Sequence, residues 1–164
     1  MDLEEFNSLP AEQARSLLRP CLDVERWTEV VSAGRPYDDL DRCLEAARTG
    51  AHPLTSEEIE AAMAHHPRIG ERAGGDSVEA THSRREQAGL GELGDTVRTR
   101  LAEGNIAYEQ RFGRVFLIRA AGRSSEEILA ELERRLENSA EQELAETGEQ
   151  LEQIAALRLE GMLR

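Results

Sequence analysis

The sequence predicts an all-α protein: a single-domain bundle of about eight helices over residues 1–164, with no significant sheet. Three observations carry that expectation. Apolar residues recur at the three- and four-residue spacing of one helix face in segment after segment. Those segments tend to open on Ser, Thr, Asp or Asn and to close on Gly or Pro. The one short apolar run, VFLIRAA over residues 115–121, has no evident second run to pair with, so it reads as a buried connector rather than a strand.

The elements follow in order. Asn7 or Ser8 can cap a short helix with Pro10 near its first turn, running through Ala14, Leu17 and Leu18 until Pro20 stops it. Asp23 can open a second helix through Trp27 and Val31, closed by Gly34. A third spans about 38–48, with Leu40, Cys43, Leu44 and Ala47 on one stripe and Gly50 after it. Thr55-Ser56-Glu57-Glu58 is a helix-start signature for a segment carrying Ile59, Ala62 and Met63, which Pro67 prevents from continuing. Beyond Gly74-Gly75 a helix is expected over 78–88, and a longer one from about Leu93 to Phe112 with Gly104 as its weak point. Ser124 with Glu127 caps a helix through Ile128, Leu132 and Leu136. The last helix, over 139–163, turns Leu144, Leu151, Ile154, Leu157 and Leu159 to a core, with Gly148 as a possible bend.

A chain of 164 residues is long enough for one core of its own. Its net charge of −13 opposes nucleic-acid binding, which needs a basic face to neutralise phosphates. No segment approaches the roughly 20 apolar residues of a membrane span. The acidic start, MDLEEFNSLPAEQ, and the end, EGMLR, match no leader or peroxisomal signal, so a cytoplasmic location is expected. Cys21 and Cys43 form no CxxC pair and are expected as packed free thiols, with a disulfide the lesser alternative.

The chemistry concentrates in residues 65–87, HHPRIGERAGGDSVEATHSRREQ, which hold three of the four histidines: His65, His66 and His82. His66, placed before a helix-ending proline, can project beyond the helix and exchange a proton near neutral pH. As a bland alternative, it is a helix-end histidine interacting with terminal carbonyls. Adjacent histidines diverge by about 100° around a helix, unlike the i, i+4 pair of zinc sites, so no metal is expected. Ser83, Glu86 and Gln87 share a helix face, bringing a hydroxyl, a carboxylate and an amide together; a solvated face is the plainer reading. Arg158, among leucines in the last helix, either snorkels to solvent or pairs with a carboxylate from Glu86 or a substrate.

Taken together, HPRIGER (66–72), SRREQAG (83–89), NIAYEQRFGRVFLIRAAGRS (105–124) and EQLEQIAALRL (149–159) resemble, in order and approximate spacing, the 2-oxo-4-hydroxy-4-carboxy-5-ureidoimidazoline (OHCU) decarboxylases of the urate-to-allantoin pathway. FNSLP near the start is similar to that family's opening, and the likeness covers nearly the whole chain.

The resemblance implies a helical, dimeric, cofactor-free carboxy-lyase that yields (S)-allantoin. It makes His66 the catalytic histidine, aided by Glu86, and puts Arg158 near the substrate carboxylate. Pro67 would border the substrate. Ser83, Arg84, Arg85, Glu86 and Gln87 would form the main substrate loop, with Glu86 and Gln87 on the ring and ureido groups. Phe116, Leu117, Ile118, Arg119 and Ala120 would offer main-chain contacts.

Two other classes compete. An acidic all-helical protein-interaction module would account for the charge and the leucine-rich last helix, but leaves the polar residues at His66 and 83–87 without a role. A metal-dependent hydrolase would require bound zinc.

Overall fold

The computed structural model describes residues 1–64, 66, 82 and 94–164. Among them are eight helices and no strand, as the sequence predicts: α1 (Leu3–Ser8), α2 (Ala11–Leu18), α3 (Glu25–Ala33), α4 (Leu40–Thr49), α5 (Ser56–Met63), α6 (Asp95–Phe112), α7 (Ser125–Arg135) and α8 (Ala140–Met162). The chain's contacts divide it into two compact units, Met1–Ala62 with Gly148–Arg164, and Met63–Thr147. The helix expected over 78–88 lies outside the described residues apart from His82, which is helical.

In the first unit the start differs from the expectation. Asp2 caps a separate helix through a reciprocal box with Glu5, and α1 ends at Ser8. Leu9 is extended, as a residue before proline must be, and Pro10 becomes the N-cap of α2 rather than part of its first turn. Arg35 ties this corner together: its Nη1 donates to the carbonyls of Phe6 and Leu9 at 2.7 and 2.8 Å. α2 packs on α3, and α3 on α4. α4 starts at Leu40 rather than at about 38, and Asp39 caps it by accepting from the Arg42 N–H. Trp27 is fully buried, and its indole N–H donates to the Ala47 carbonyl at 2.8 Å, so the largest side chain of this core leaves no polar atom stranded. Thr55 and Glu58 exchange the two bonds of the predicted cap on α5.

Both cysteines are buried and neither is in a disulfide. Burial pushes the Cys43 thiol up to about 11, so it behaves as a small packed hydrophobe. The C-terminal part of α8 adds Leu151, Ile154, Ala155 and Leu159 to the core. Leu157, expected inside, is exposed, and Arg158 is buried in its stead. The helical period explains the exchange: 151, 154, 155, 158 and 159 follow the i, i+3, i+4, i+7, i+8 stripe, and 157 falls off it.

The second unit is built on α6 packed against α7. Leu101, Tyr108, Phe116, Ile118, Ile128 and Leu132 form its apolar cluster, with Val97, Phe112 and Leu136 packed at the edge. Gly104 lies where the two helices approach: a Cβ there would sit 2.6 Å from Leu132 Cδ2, and Leu132 is fully buried. The residue that looked like a weak point is thus a packing requirement. Ala would gain about 1 kcal/mol of helix propensity, but forcing a methyl into a filled core costs about 1–3 kcal/mol. Gly104→Ala is therefore expected to lower the thermal midpoint rather than raise it, as differential scanning fluorimetry would show. Gly113, at φ 73°, ends α6 in the left-handed region where other residues are strained.

Candidate functional site

His66 follows the end of α5. That helix stops at Met63, and the His66 backbone N–H donates to the Met63 carbonyl at 3.2 Å, closing the last turn. The side chain is half-buried. This is the placement that the preceding-proline argument predicts, with the imidazole on a turn rather than on a solvated helix face. His82 is also half-buried. His65, Pro67, Ser83, Arg84, Arg85, Glu86 and Gln87 lie outside the described residues.

Phe116–Ala120 form an irregular connector between α6 and α7, as the lone apolar run implies. The side chains of Phe116, Leu117, Ile118 and Ala120 are buried, and Arg119 is half-buried. Any ligand meeting the four buried positions would therefore do so chiefly through the main chain. Three carbonyls of the connector are held by named donors. Arg135 Nη1 holds that of Leu117 at 2.7 Å, Arg123 Nε that of Arg119 at 2.9 Å, and the Arg123 N–H that of Ala120 at 3.1 Å.

Beneath the connector lies a buried polar cluster that the sequence reading did not anticipate. Arg135 is 1% exposed and Glu143 is fully buried. Arg135 Nε donates to Glu143 Oε1 at 2.8 Å, and Nη2 reaches the same oxygen. The Tyr108 hydroxyl donates to that oxygen as well, at 2.6 Å. Asn138 Nδ2 takes the other carboxylate oxygen at 3.0 Å. The guanidinium also lies over the Phe116 ring, 4.6 Å from its centroid, and Tyr108 meets the same ring edge-on. Burial, then the bond to Glu143, pushes the Tyr108 hydroxyl up to about 12, so it remains a donor at any physiological pH.

Arg158, in the other unit, is 5% exposed, and its Nη1 donates to the Pro20 carbonyl at 3.2 Å. The snorkelling alternative is thereby excluded. A planar fork held inside the protein is the form of arginine suited to a carboxylate.

The same unit carries a cleft of about 260 Å³ lined by Arg48, Thr49, His52, Glu149, Glu152 and Gln153. In it His52 Nδ1 lies 2.9 Å from Glu152 Oε1. The hydrogen bond to Glu152, followed by that carboxylate's charge, raises the His52 pKa. Burial raises that of Glu152 and outweighs the opposing effect of His52. Both folded-state values lie above the unfolded ones, so the native state binds more protons and loses stability as pH rises. The His52 contribution is complete below its unfolded value of about 6.5 and is lost as pH rises from there through the higher folded value. His52→Gln should therefore flatten the decline of thermal midpoint between neutral and mildly alkaline pH; an unchanged slope would contradict the pairing. Among the described residues no three His, Cys, Asp or Glu side chains gather as a metal site would require.

Comparison with known proteins adds three kinds of likeness. The family model described as OHCU decarboxylase matches residues 7–160. The chain is 30% identical over 169 residues to the 2-oxo-4-hydroxy-4-carboxy-5-ureidoimidazoline decarboxylase of Amia calva, covering all of this chain and 95% of that one. It is 24% identical over 165 residues to the uric acid degradation bifunctional protein of Bacillus sp. (strain TB-90), again over all of this chain but only 32% of that longer protein. A crystal structure of OHCU decarboxylase in the presence of (S)-allantoin shares the fold, with a TM-score of 0.70 at 23% identity over 90% of this chain and 96% of that one. A match across nearly the whole length, with the motif order and the helical architecture in agreement, leads to one conclusion: the chain belongs to the OHCU decarboxylase family and is a carboxy-lyase.

Proposed function

We propose that this protein decarboxylates 2-oxo-4-hydroxy-4-carboxy-5-ureidoimidazoline to (S)-allantoin in urate degradation, without a cofactor, with His66 and Glu86 managing the protons. The observation that carries this reading is the family match over residues 7–160, which takes in every motif of the proposed site.

The substrate supplies its own electron sink. Its carboxylate sits on a hydroxyl-bearing carbon next to a ring C=N bond. When the carbon–carboxylate bond breaks, carbon dioxide leaves and the electron pair flows into that conjugated system. The protein has three tasks: to hold the carboxylate out of the ring plane, to polarise the ring and to deliver a proton to one face of the carbon bearing the ureido group. Arg158 is assigned to the carboxylate by the family resemblance, a guanidinium being able to hold a carboxylate through two parallel bonds. Ser83, Arg84, Arg85, Glu86 and Gln87 are assigned to the ring and ureido groups, with Pro67 at the substrate's edge. The main chain of 116–120 completes the contacts, in keeping with the burial of most of that segment's side chains. His66 fits the proton role because a group with a pKa near neutrality is the efficient acid or base at physiological pH.

A homodimer is part of the proposal, and light scattering giving twice the mass of one chain would support it. The test of the reaction is release of one carbon dioxide per ureidoimidazoline consumed, faster with protein than in its absence. Equal rates would count against the reading and favour a non-catalytic module that binds other proteins.

A further inference from the structure

The cluster under the connector has no part in the reaction as described above, yet it costs free energy to assemble. Removing a guanidinium and a carboxylate from water carries a penalty that their mutual attraction only offsets when the remaining donors and acceptors are paired. Here they are paired with unusual economy. Two Arg135 nitrogens and the Tyr108 hydroxyl converge on Glu143 Oε1, and the third Arg135 nitrogen is spent on a single main-chain atom, the Leu117 carbonyl. The guanidinium plane is further set by the Phe116 ring. The direction of that carbonyl is thus determined by four groups, one each on α6, α7 and α8 and one on the connector itself.

Direction matters because a trans peptide is planar, with its C=O and N–H pointing opposite ways. Turning the Leu117 carbonyl toward Arg135 turns the Ile118 N–H away from it. Holding the Arg119 carbonyl on Arg123 Nε does the same for the Ala120 N–H. A ligand rich in carbonyl and carboxylate oxygens needs such donors.

We propose that Arg135, held in place by Glu143, is a positioning residue that fixes the Leu117 carbonyl inward and thereby presents the Ile118 N–H edge of the connector to substrate. The inference rests on the decarboxylase reading above. Arg135 itself touches no substrate; its effect passes through the main chain of 117–118. The contact it serves is made equally in ground state and transition state, so its loss appears in KM more than in kcat.

The variant that tests this is Tyr108→Phe with Arg135→Met and Glu143→Leu. It replaces the buried ionic cluster by apolar groups of similar volume, an exchange that proteins often tolerate without loss of stability, but it releases the Leu117 carbonyl. Steady-state kinetics with ureidoimidazoline generated in situ should show KM raised about tenfold or more, as misplacement of a binding group by a fraction of an ångström predicts, with kcat changed far less. A merely structural cluster would instead lower the active fraction, and so kcat, at constant KM. Should the triple variant not fold, Arg135→Lys keeps the charge beside Glu143 but has no fork with which to span Glu143 and Leu117 together; the same KM rise is expected. Wild-type KM in either folded variant overturns the positioning role alone. Absence of turnover in the unmodified protein overturns the decarboxylase reading, and this inference with it.

Discussion

His66→Asn is expected to lower kcat by about 10²–10⁴-fold, the usual loss when a general acid or base is removed. The fold should be unaffected. The main-chain bond that closes α5 runs from the His66 N–H to the Met63 carbonyl and does not depend on the side chain. Asparagine can hydrogen-bond from the same turn, but it has no proton to exchange near neutral pH, so the comparison isolates titration from polarity. Glu86→Gln should show a loss of similar kind, because it keeps the shape and removes the charge proposed to assist the histidine. Initial rates for the two variants, each checked for helical content by far-UV circular dichroism, decide the matter. A well-folded His66→Asn protein with full activity would remove His66 from the mechanism.

Arg135→Met is expected to destabilise the protein by about 3–5 kcal/mol, the cost of leaving one member of a buried ion pair uncompensated. Glu143 is fully buried, and this change would strip from it the one cation bonded to it among the described residues. The neighbouring Arg134 provides the contrast. Glu146 and Glu131 push its guanidinium well above the usual range, through bonds of 2.7 and 2.8 Å. Yet its side chain is 51% exposed, and water screens such pairs to about 0–1 kcal/mol. Urea unfolding of Arg135→Met and Arg134→Met should thus differ several-fold in effect although the residues are adjacent. Equal losses would show that the cluster around Glu143 is better hydrated than its burial indicates.

The parts of the fold that were legible in the sequence are those written in local chemistry. Thr55 with Glu58 and Ser124 with Glu127 marked the helix starts that the structure shows, and Gly34, Gly50 and Gly113 stand at helix ends. The connector at 116–120 was legible because a solitary apolar run cannot form a sheet by itself. The short helix α1 escaped notice because Asn7 and Ser8, next to Pro10, offered caps for one later helix, although Asp2 with Glu5 carried a capping signal of its own.

The buried cluster was missed for a different reason. Counting charged residues as surface is right for most of them, and it hides the few that occupy stripe positions. Arg135 follows Ile128 at i+7 and Leu132 at i+3, and Glu143 and Thr147 lead into Leu151 and Ile154 along the same face of α8. Arg158 sits seven residues after Leu151 by the same rule. A charged residue in register with an apolar stripe was the available signal, and in each case it marks a buried ion or hydrogen-bond partner. The roles proposed for His66, Glu86 and the 83–87 segment rest on motif order rather than on periodicity, since helical patterning says nothing about which polar side chains meet a ligand.

The central claim is tested most directly by circular dichroism of the product. Urate oxidase and hydroxyisourate hydrolase would generate the ureidoimidazoline in situ, and the ellipticity of allantoin would be followed with and without this protein. Spontaneous decay gives racemic allantoin and no net signal. The account predicts a protein-dependent rise of the (S)-allantoin signal; a signal that grew no faster than in the protein-free control, with the protein verified as folded, would contradict it.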